Sequence, residues 1–165
     1  MFWCGTLLVS MLFGGVYLQK ENDIAFAINR GKTYYFPHSF GLSWQQAVEY
    51  CRNHGMFLVT IQTKEQLGSV VEYLNTSGYW KTKDQLHMWT SLNDIGEEGQ
   101  YFWASTGERL TFDRWKAGEP DNKRLDTCTT ENCVVLSHHP VRGVYYSFDD
   151  RPCQENNLFL CESLG

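Results

Sequence analysis

Two stretches in the first half of the chain repeat their apolar residues at the spacing of an amphipathic helix. The first, SWQQAVEYCRNHG, opens with Ser43 and Gln46 in capping-box spacing and stops at Gly55, as a helix with a glycine C-terminal cap does. Its apolar residues share one helical face: Trp44, Ala47, Val48 and Cys51. We therefore predict a helix after Ser43 that buries this face.

The second stretch, TKEQLGSVVEYLN, repeats the arrangement. Thr63 and Gln66 stand in the same capping-box spacing. The apolar residues at helical spacing are Leu67, Val70, Val71 and Leu74. Gly68 lowers the helix propensity of the segment but does not break the pattern, so we predict a second amphipathic helix.

From residue 87 onward the pattern changes to short apolar runs that are typical of β-strands. These runs are HMWTSL, QYFWAS, NCVVLS, GVYYSF and NLFLCE, separated by clusters of Gly, Pro, Asn and Asp. One similar run, KTYYFP, precedes the helices. Helices followed by a group of strands indicate an α+β domain and not alternating βαβ units. The bulky aromatic residues predicted to form its core are Trp89, Phe102, Trp103 and Trp115.

A long segment, residues 107–132, carries little strand pattern and many turn-forming residues. Irregular segments of this length in a compact domain are usually functional or disordered. The 165 residues, 42% of them hydrophobic, suffice for one well-packed domain and are too few for two sizeable ones. We therefore predict a single α+β domain with one long loop region that carries its function.

The N-terminal segment is typical of a secretory signal. The first 18 residues, MFWCGTLLVSMLFGGVYL, contain no charged side chain, and an Ala-Phe-Ala cleavage pattern ends at Ala27. We predict a signal peptide over residues 1–27, whose removal takes Cys4 with it, and a mature domain over residues 28–165. The alternative is an uncleaved anchor, because about 18 apolar residues are the lower limit for a membrane span.

The predicted mature chain has no membrane span and would be extracellular, in an oxidising compartment. It keeps five cysteines: Cys51, Cys128, Cys133, Cys153 and Cys161. An odd number leaves one cysteine unpaired or paired with another chain. The triplet that begins at Asn75 is an N-glycosylation sequon, which fits the same compartment.

Charge and motif content exclude several classes of function. A formal net charge of -5 argues against a nucleic-acid partner, because binding to phosphates needs a basic face. No Ser or Cys nucleophile has a recognisable elbow or base, so we predict no enzymatic activity. The adjacent His138 and His139 are more typical of a solvated loop than of a catalytic site. Zinc binding by Cys128 and Cys133 is disfavoured, since disulfides prevail in oxidising compartments.

Carboxylates form the strongest candidate site. They fall in two groups near cysteines, one in the irregular segment and one after VYYSF: Glu119, Asp121 and Glu131, then Asp149 and Asp150. A disulfide would bring the two groups together, and carboxylates at short range repel unless a bound cation reverses the cost. Oxygen-only ligands select a hard cation, and Ca²⁺ takes about 6 to 8 of them. The ordinary alternative is a set of solvated surface charges.

Several motifs, in order and spacing, resemble a C-type lectin-like domain, close to the short, secreted, single-domain lectins of insects. They are SWQQAVEYC, MWTSLNDIGEEGQYFWASTG, FDRWKAGEPDN, ENCVVL and FDDRPCQENNLFLCE. The resemblance covers nearly the whole predicted mature chain. It implies two helices that flank two small antiparallel sheets, and a long loop region that binds calcium and sugar.

The resemblance also implies two disulfides, Cys51 with Cys161 and Cys133 with Cys153. Cys128 is then left over. It is either a capped or buried thiol or, as we favour, a disulfide to a second subunit, because an exposed free thiol is a liability outside cells.

Carried over residue by residue, the principal calcium and sugar site of the family falls on Glu119, Asp121, Glu131, Asp149 and Asp150. The mannose-type pattern has asparagine where Asp121 and Asp149 stand, and the galactose-type pattern has glutamine at 119. This chain matches neither. Ionised carboxylates only accept hydrogen bonds, so these positions supply no amide donor to a sugar hydroxyl. We expect calcium binding to survive better than ordinary hexose binding, unless a carboxyl group is protonated or the ligand brings its own donors.

A second, weaker calcium site of the family maps to Asp94, Glu98, Asn122 and Asn132. The last two positions are usually acidic, so only two carboxylates remain. The alternative is that Asp94 and Glu98 form a solvated turn around Gly96.

The sequence therefore predicts a secreted, calcium-dependent lectin that binds glycans, with a role in innate recognition. The alternative is a lectin-fold module that binds a protein partner and has lost or altered its sugar binding, linked to that partner through Cys128 in a homodimer or heterodimer. The departures at Asp121 and Asp149 favour this alternative.

Overall fold

The computed structural model of the chain describes residues 27–29, 31–124 and 129–163. The predicted signal peptide, the site of its cleavage and Cys128 lie outside these residues, apart from Ala27. No helix in this part of the chain combines the length and the apolar character that a membrane crossing requires.

Helix α1 spans Trp44–Asn53 and begins at the predicted capping box. The Ser43 hydroxyl accepts the Gln46 backbone N–H, and Gln46 Oε1 accepts the Ser43 backbone N–H at 3.2 Å. Gly55 follows the helix at φ +68°, a left-handed conformation that costs glycine little. The buried residues of α1 are the four that were predicted, which confirms the orientation of its apolar face.

Helix α2 spans Lys64–Thr76 and begins at Thr63, whose side chain accepts the Gln66 backbone N–H at 3.2 Å. Gln66 Oε1 accepts the backbone N–H of Gln62 and not that of Thr63, so the predicted capping box is only half formed. Leu67, Val70 and Leu74 are buried and Val71 is half-buried against the core, as predicted. Asn75 is exposed on the last turn of the helix, where a glycan would not disturb packing.

The described ranges contain nine short strands in two sheets. In chain order they are β1 (Ala27–Asn29), β2 (Lys32–Tyr35), β3 (Phe57–Leu58), β4 (Leu86–Asn93), β5 (Phe102–Trp103), β6 (Cys133–His139), β7 (Val144–Arg151), β8 (Leu158–Phe159) and β9 (Cys161–Glu162). One sheet has the order β1-β2-β9-β3 and the other the order β5-β4-β6-β7. All these pairs are antiparallel, and β8 joins the second sheet by pairing with β4 in parallel. The two helices and two sheets confirm the predicted α+β class.

The core lies between the helices and the larger sheet. Trp89 and Trp103 are completely buried, and Trp115 packs half-buried against the core. The prediction for Phe102 is wrong, because its side chain is 38% exposed. Phe102 and Trp103 are neighbours on β5, where successive side chains point to opposite faces, so only one of them can face the core. The guanidinium of Arg109 lies 5.4 Å from the centre of the exposed Phe102 ring.

Both disulfides that the resemblance implies are present. Cys51 of α1 is bonded to Cys161 of β9, and Cys133 of β6 is bonded to Cys153 just after β7. The first links α1 to the C-terminal strand β9, and the second links the start of β6 to the residues that follow β7.

Candidate functional site

The long irregular segment runs alongside β7, the edge strand of the larger sheet, and Trp115 pairs with Phe148 there. No regular helix or strand occurs in its described parts, residues 107–124 and 129–132. The register of the two strands places Asp149 opposite Val135 and Asp150 opposite Val134. The Lys116 backbone N–H donates to the Phe148 carbonyl at 2.8 Å, so the segment is held against β7 just before the two aspartates.

Asp150 organises the segment through its carboxylate. Its Oδ1 accepts the backbone N–H of Asp121 at 3.3 Å, and its Oδ2 accepts that of Asn122 at 2.9 Å. Asn122 has a left-handed backbone at φ +43°, which a short amide side chain tolerates better than most. The Lys123 N–H then donates to Asp121 Oδ1 at 3.0 Å and to Glu131 Oε2 at 3.1 Å. The predicted ligand carboxylates therefore also fold the loop that carries them.

Three predicted ligands meet in one cluster. Glu119, Asp121 and Asp150 each offer a carboxylate oxygen, and these oxygens lie within 4.8 Å of one another. Glu119 Oε2 is buried and has no hydrogen-bond partner among the residues that the structure describes. Closely placed carboxylates repel, and a buried acceptor without a partner is costly, so a divalent cation would relieve both penalties. This donor set, oxygen only and anionic, fits calcium.

Glu131 lies next to this cluster. Its side chain is almost completely buried, at 5% exposure. Burial, followed by its hydrogen bond with Asp121, raises the pKa of Glu131 to about 7. Burial also raises the pKa of Glu119, although the ammonium group of Lys116 opposes this shift. Burial therefore disfavours the ionised form of both carboxyl groups, and a bound cation would favour it.

Asp149 is separated from the cluster, although Asp150 is its neighbour in sequence. Successive side chains of a strand point to opposite faces of the sheet. Asp149 Oδ2 is 3.0 Å from Lys116 Nζ and 3.3 Å from Arg151 Nη2, and it accepts the Ser137 hydroxyl at 3.3 Å. Its charge is therefore compensated by two cationic side chains and a hydroxyl.

Lys116 is a site residue that was not predicted from the sequence. Its ammonium bridges the two groups of acids, since Nζ lies 3.0 Å from Glu119 Oε1 as well as 3.0 Å from Asp149 Oδ2. The sequence signal was the spacing of three residues between Lys116 and Glu119. The contact with Asp149 could not be found in this way, because it joins residues 33 positions apart.

The weaker second site is only partly assembled. Asp94 Oδ1 and Asn122 Oδ1 are buried and lack partners in the described part of the chain. Burial, and then the charge of Asp94, raises the pKa of Glu98. Asn132 Oδ1 instead accepts the Thr130 hydroxyl at 2.6 Å. Within the described residues, Glu119, Asp121 and Asp150 form the one set of three mutually close ligands, so this second site stays a prediction.

Comparisons with known proteins agree with the family and the fold. The family described as lectin C-type domain matches residues 41–163. Salivary C-type lectin 1 of Aedes albopictus is 30% identical over 122 residues, which are 74% of this chain and 76% of that protein. C-type lectin 37Da of Drosophila melanogaster is 30% identical over 145 residues, 86% of this chain and 73% of that protein.

Among solved structures, the carbohydrate-recognition domain of the mouse scavenger receptor C-type lectin superimposes with a TM-score of 0.67. The match covers 84% of this chain and 94% of that domain at 24% identity. At this identity the likeness shows the fold alone.

Proposed function

Because this chain belongs to the C-type lectin domain family, whose members are non-enzymatic carbohydrate-binding proteins, we propose that it is a secreted lectin that binds glycans with the help of calcium. The relative named as a salivary lectin supports secretion. A role in innate recognition is part of the same proposal. We expect insect cells to secrete a tagged full-length chain. Mass spectrometry of the secreted protein should show that residues 1–27 are lost and that Asn75 carries a mass that a glycosidase removes.

The observation that carries the proposal is the cluster of Glu119, Asp121 and Asp150 with the unpartnered oxygen of Glu119. We assign these three carboxylates as the principal calcium ligands and Glu131 as the fourth, beside Asp121. The ion would supply a positive centre to which sugar hydroxyl oxygens bind. Asp149 is the fifth residue of the predicted set. It would bind the ion only if its ion pairs with Lys116 and Arg151 were broken.

Lys116 offers the donor that the carboxylates lack. Ordinary sugar binding requires N–H groups that donate to hydroxyl oxygens, and the predicted ligands are acceptors only when ionised. The Lys116 ammonium carries three donors and lies 3.0 Å from Glu119 Oε1, at the edge of the cluster. We propose that it takes the place of the missing amide groups by donating to a sugar hydroxyl.

A glycan array probed in calcium and again in EGTA tests this function. We expect signals that disappear in EGTA. Glu119→Gln and Asp150→Asn should abolish them, because each removes a charged ligand while preserving side-chain shape. Glu49→Gln is the matched control, since Glu49 is exposed on α1 and changes the net charge equally.

Absence of any glycan-array signal from the wild-type protein, in calcium and in EGTA alike, would contradict the proposed function. It would favour the alternative, a lectin-fold module that binds a protein partner, which the aspartates at 121 and 149 support. Recovery of a disulfide-linked partner that a Cys128→Ser variant loses would then be expected.

A further inference from the structure

A small cleft opens between β6, β7 and the segment before Glu119. It adjoins the carboxylate cluster of Glu119, Asp121 and Asp150, the proposed calcium site, which we call the calcium cluster. The volume of the cleft is about 80 Å³. Six polar residues of its lining matter here: His87, Lys116, His139, Arg142, Asp149 and Arg151. We call it the basic cleft.

The basic cleft carries positive charge in an otherwise acidic protein. Three cationic side chains and a single carboxylate line it, so with neutral histidines its formal charge is +2, against -5 for the whole chain. The carboxylate of Asp149 repels an incoming anion only weakly, because two cations compensate its charge. Its Oδ2 lies 3.0 Å from Lys116 Nζ and 3.3 Å from Arg151 Nη2.

Two groups in the basic cleft have unused hydrogen-bonding capacity. The Arg142 side chain is exposed, and its guanidinium makes no hydrogen bond or ion pair with any residue that the structure describes. The Nδ1 atom of His139 is buried and likewise has no partner among the described residues. A guanidinium fork matches the oxygens of sulfate or carboxylate groups, and a neutral imidazole can donate through one nitrogen.

The size of the basic cleft limits what enters it. A cavity of about 10–15 Å³ on the same measure holds one water molecule, so the cleft has room for a small polar group of a few heavy atoms. Lys116 lies on the boundary, in contact with both Glu119 and Asp149. A sugar held at the calcium cluster would therefore place a short substituent at the mouth of the cleft.

We propose that the basic cleft binds an anionic substituent, a sulfate ester or a carboxylate, so that the ligands of this lectin are acidic glycans. Arg142 and Arg151 recognise the anionic oxygens, and His139 donates to them. The inference rests on the proposed function, because it places this group on the glycan that the calcium cluster holds.

Three polymers with one backbone test the inference: chondroitin sulfate, desulfated chondroitin, and desulfated chondroitin whose carboxyl groups have been reduced to alcohols. Each is immobilised, and binding of the full secreted chain is measured by biolayer interferometry in about 0.15 M NaCl, where long-range charge effects are screened. We expect at least one charged polymer to bind roughly tenfold or more tightly than the neutral one, the gain that charge-assisted hydrogen bonds provide. Preference for chondroitin sulfate identifies a sulfate ester, and equal binding of the two charged polymers identifies the carboxylate.

The double variant Arg142→Gln/Arg151→Gln should lose this tenfold preference. Its matched control is Arg52→Gln/Lys64→Gln, which removes two positive charges from exposed helix positions outside the basic cleft and should bind like wild type. Thermal unfolding in calcium shows whether each variant is folded. If the double variant fails to fold, Arg142→Gln alone serves, because Arg142 is exposed.

Equal binding of charged and neutral polymers in calcium overturns the anion site and leaves the proposed function standing. Binding of chondroitin sulfate that survives EGTA but is lost in the double variant retains the anion site and overturns calcium dependence. Failure of all three polymers to bind in calcium overturns the inference, and the glycan array then decides the proposed function separately.

Discussion

Asp149 and Asp150 are neighbours in sequence with different environments. Asp150 accepts two backbone N–H groups from the loop and belongs to the carboxylate cluster. Asp149 contacts Lys116, Arg151 and Ser137 on the other side of β7. Their adjacency in sequence predicts one pair of ligands, whereas strand alternation gives each aspartate its own role.

The two aspartates should therefore respond differently to the same substitution. We expect Asp150→Asn to abolish the rise in melting temperature on adding calcium, because a charged ligand is lost. Asp149→Asn should retain most of it, since Asp149 is held by cations. At calcium concentrations a hundredfold above the dissociation constant, the stabilisation of a competent site is about 2.7 kcal/mol.

The measurement is thermal unfolding of each variant with calcium and with EGTA, so that each protein serves as its own reference. An equally complete loss of the calcium effect in Asp149→Asn would show that Asp149 is a direct ligand, as the family pattern implies.

At the scale of secondary structure, the start of α1 is an element that local sequence specifies fully. Ser43 and Gln46 satisfy each other's backbone N–H groups, and the buried face follows from helical periodicity alone. The start of α2 has the same spacing but a different outcome, since Gln66 Oε1 accepts the N–H of Gln62 and not that of Thr63. A local motif thus predicts the boundary of a helix better than the partner of each side chain.

Ser43→Ala should lower the free energy of unfolding by about 1 kcal/mol, the usual cost of losing a helix N-cap. Urea denaturation monitored by circular dichroism measures the change. Gln45→Ala is the control on the same turn, because Gln45 makes only an exposed contact with Glu49, worth a few tenths of a kcal/mol. Equal effects of the two substitutions would contradict the capping role of Ser43.

At the scale of the whole molecule, the two disulfides act on different parts of the fold. Cys51–Cys161 closes 110 residues, whereas Cys133–Cys153 closes 20 and lies beside the carboxylate cluster. The entropy that a disulfide removes from the unfolded chain grows with the size of the loop it closes. The first bond should therefore matter more for stability and the second more for the site.

We expect Cys51→Ala/Cys161→Ala to cost about 5 kcal/mol and Cys133→Ala/Cys153→Ala about 3 kcal/mol. The second pair should also weaken the calcium-induced shift in melting temperature, because it frees the end of β7 from β6. Denaturation with and without calcium, on both double variants, separates the two effects. A calcium response that is unchanged in the second variant would show that strand pairing alone positions the aspartates.

The sequence by itself determined the α+β class, both amphipathic helices and the irregular acidic segment, since these follow from periodicity, capping residues and turn residues that lie close together in the chain. The family resemblance added the disulfide pairing. Tertiary structure decided which acids meet: Glu119, Asp121 and Asp150 converge, while Asp149 turns to Lys116 and Arg151. It also decided that Phe102 faces solvent and that a basic cleft adjoins an acidic cluster. These outcomes depend on strand register and on contacts between residues far apart in the chain, which local pattern does not encode.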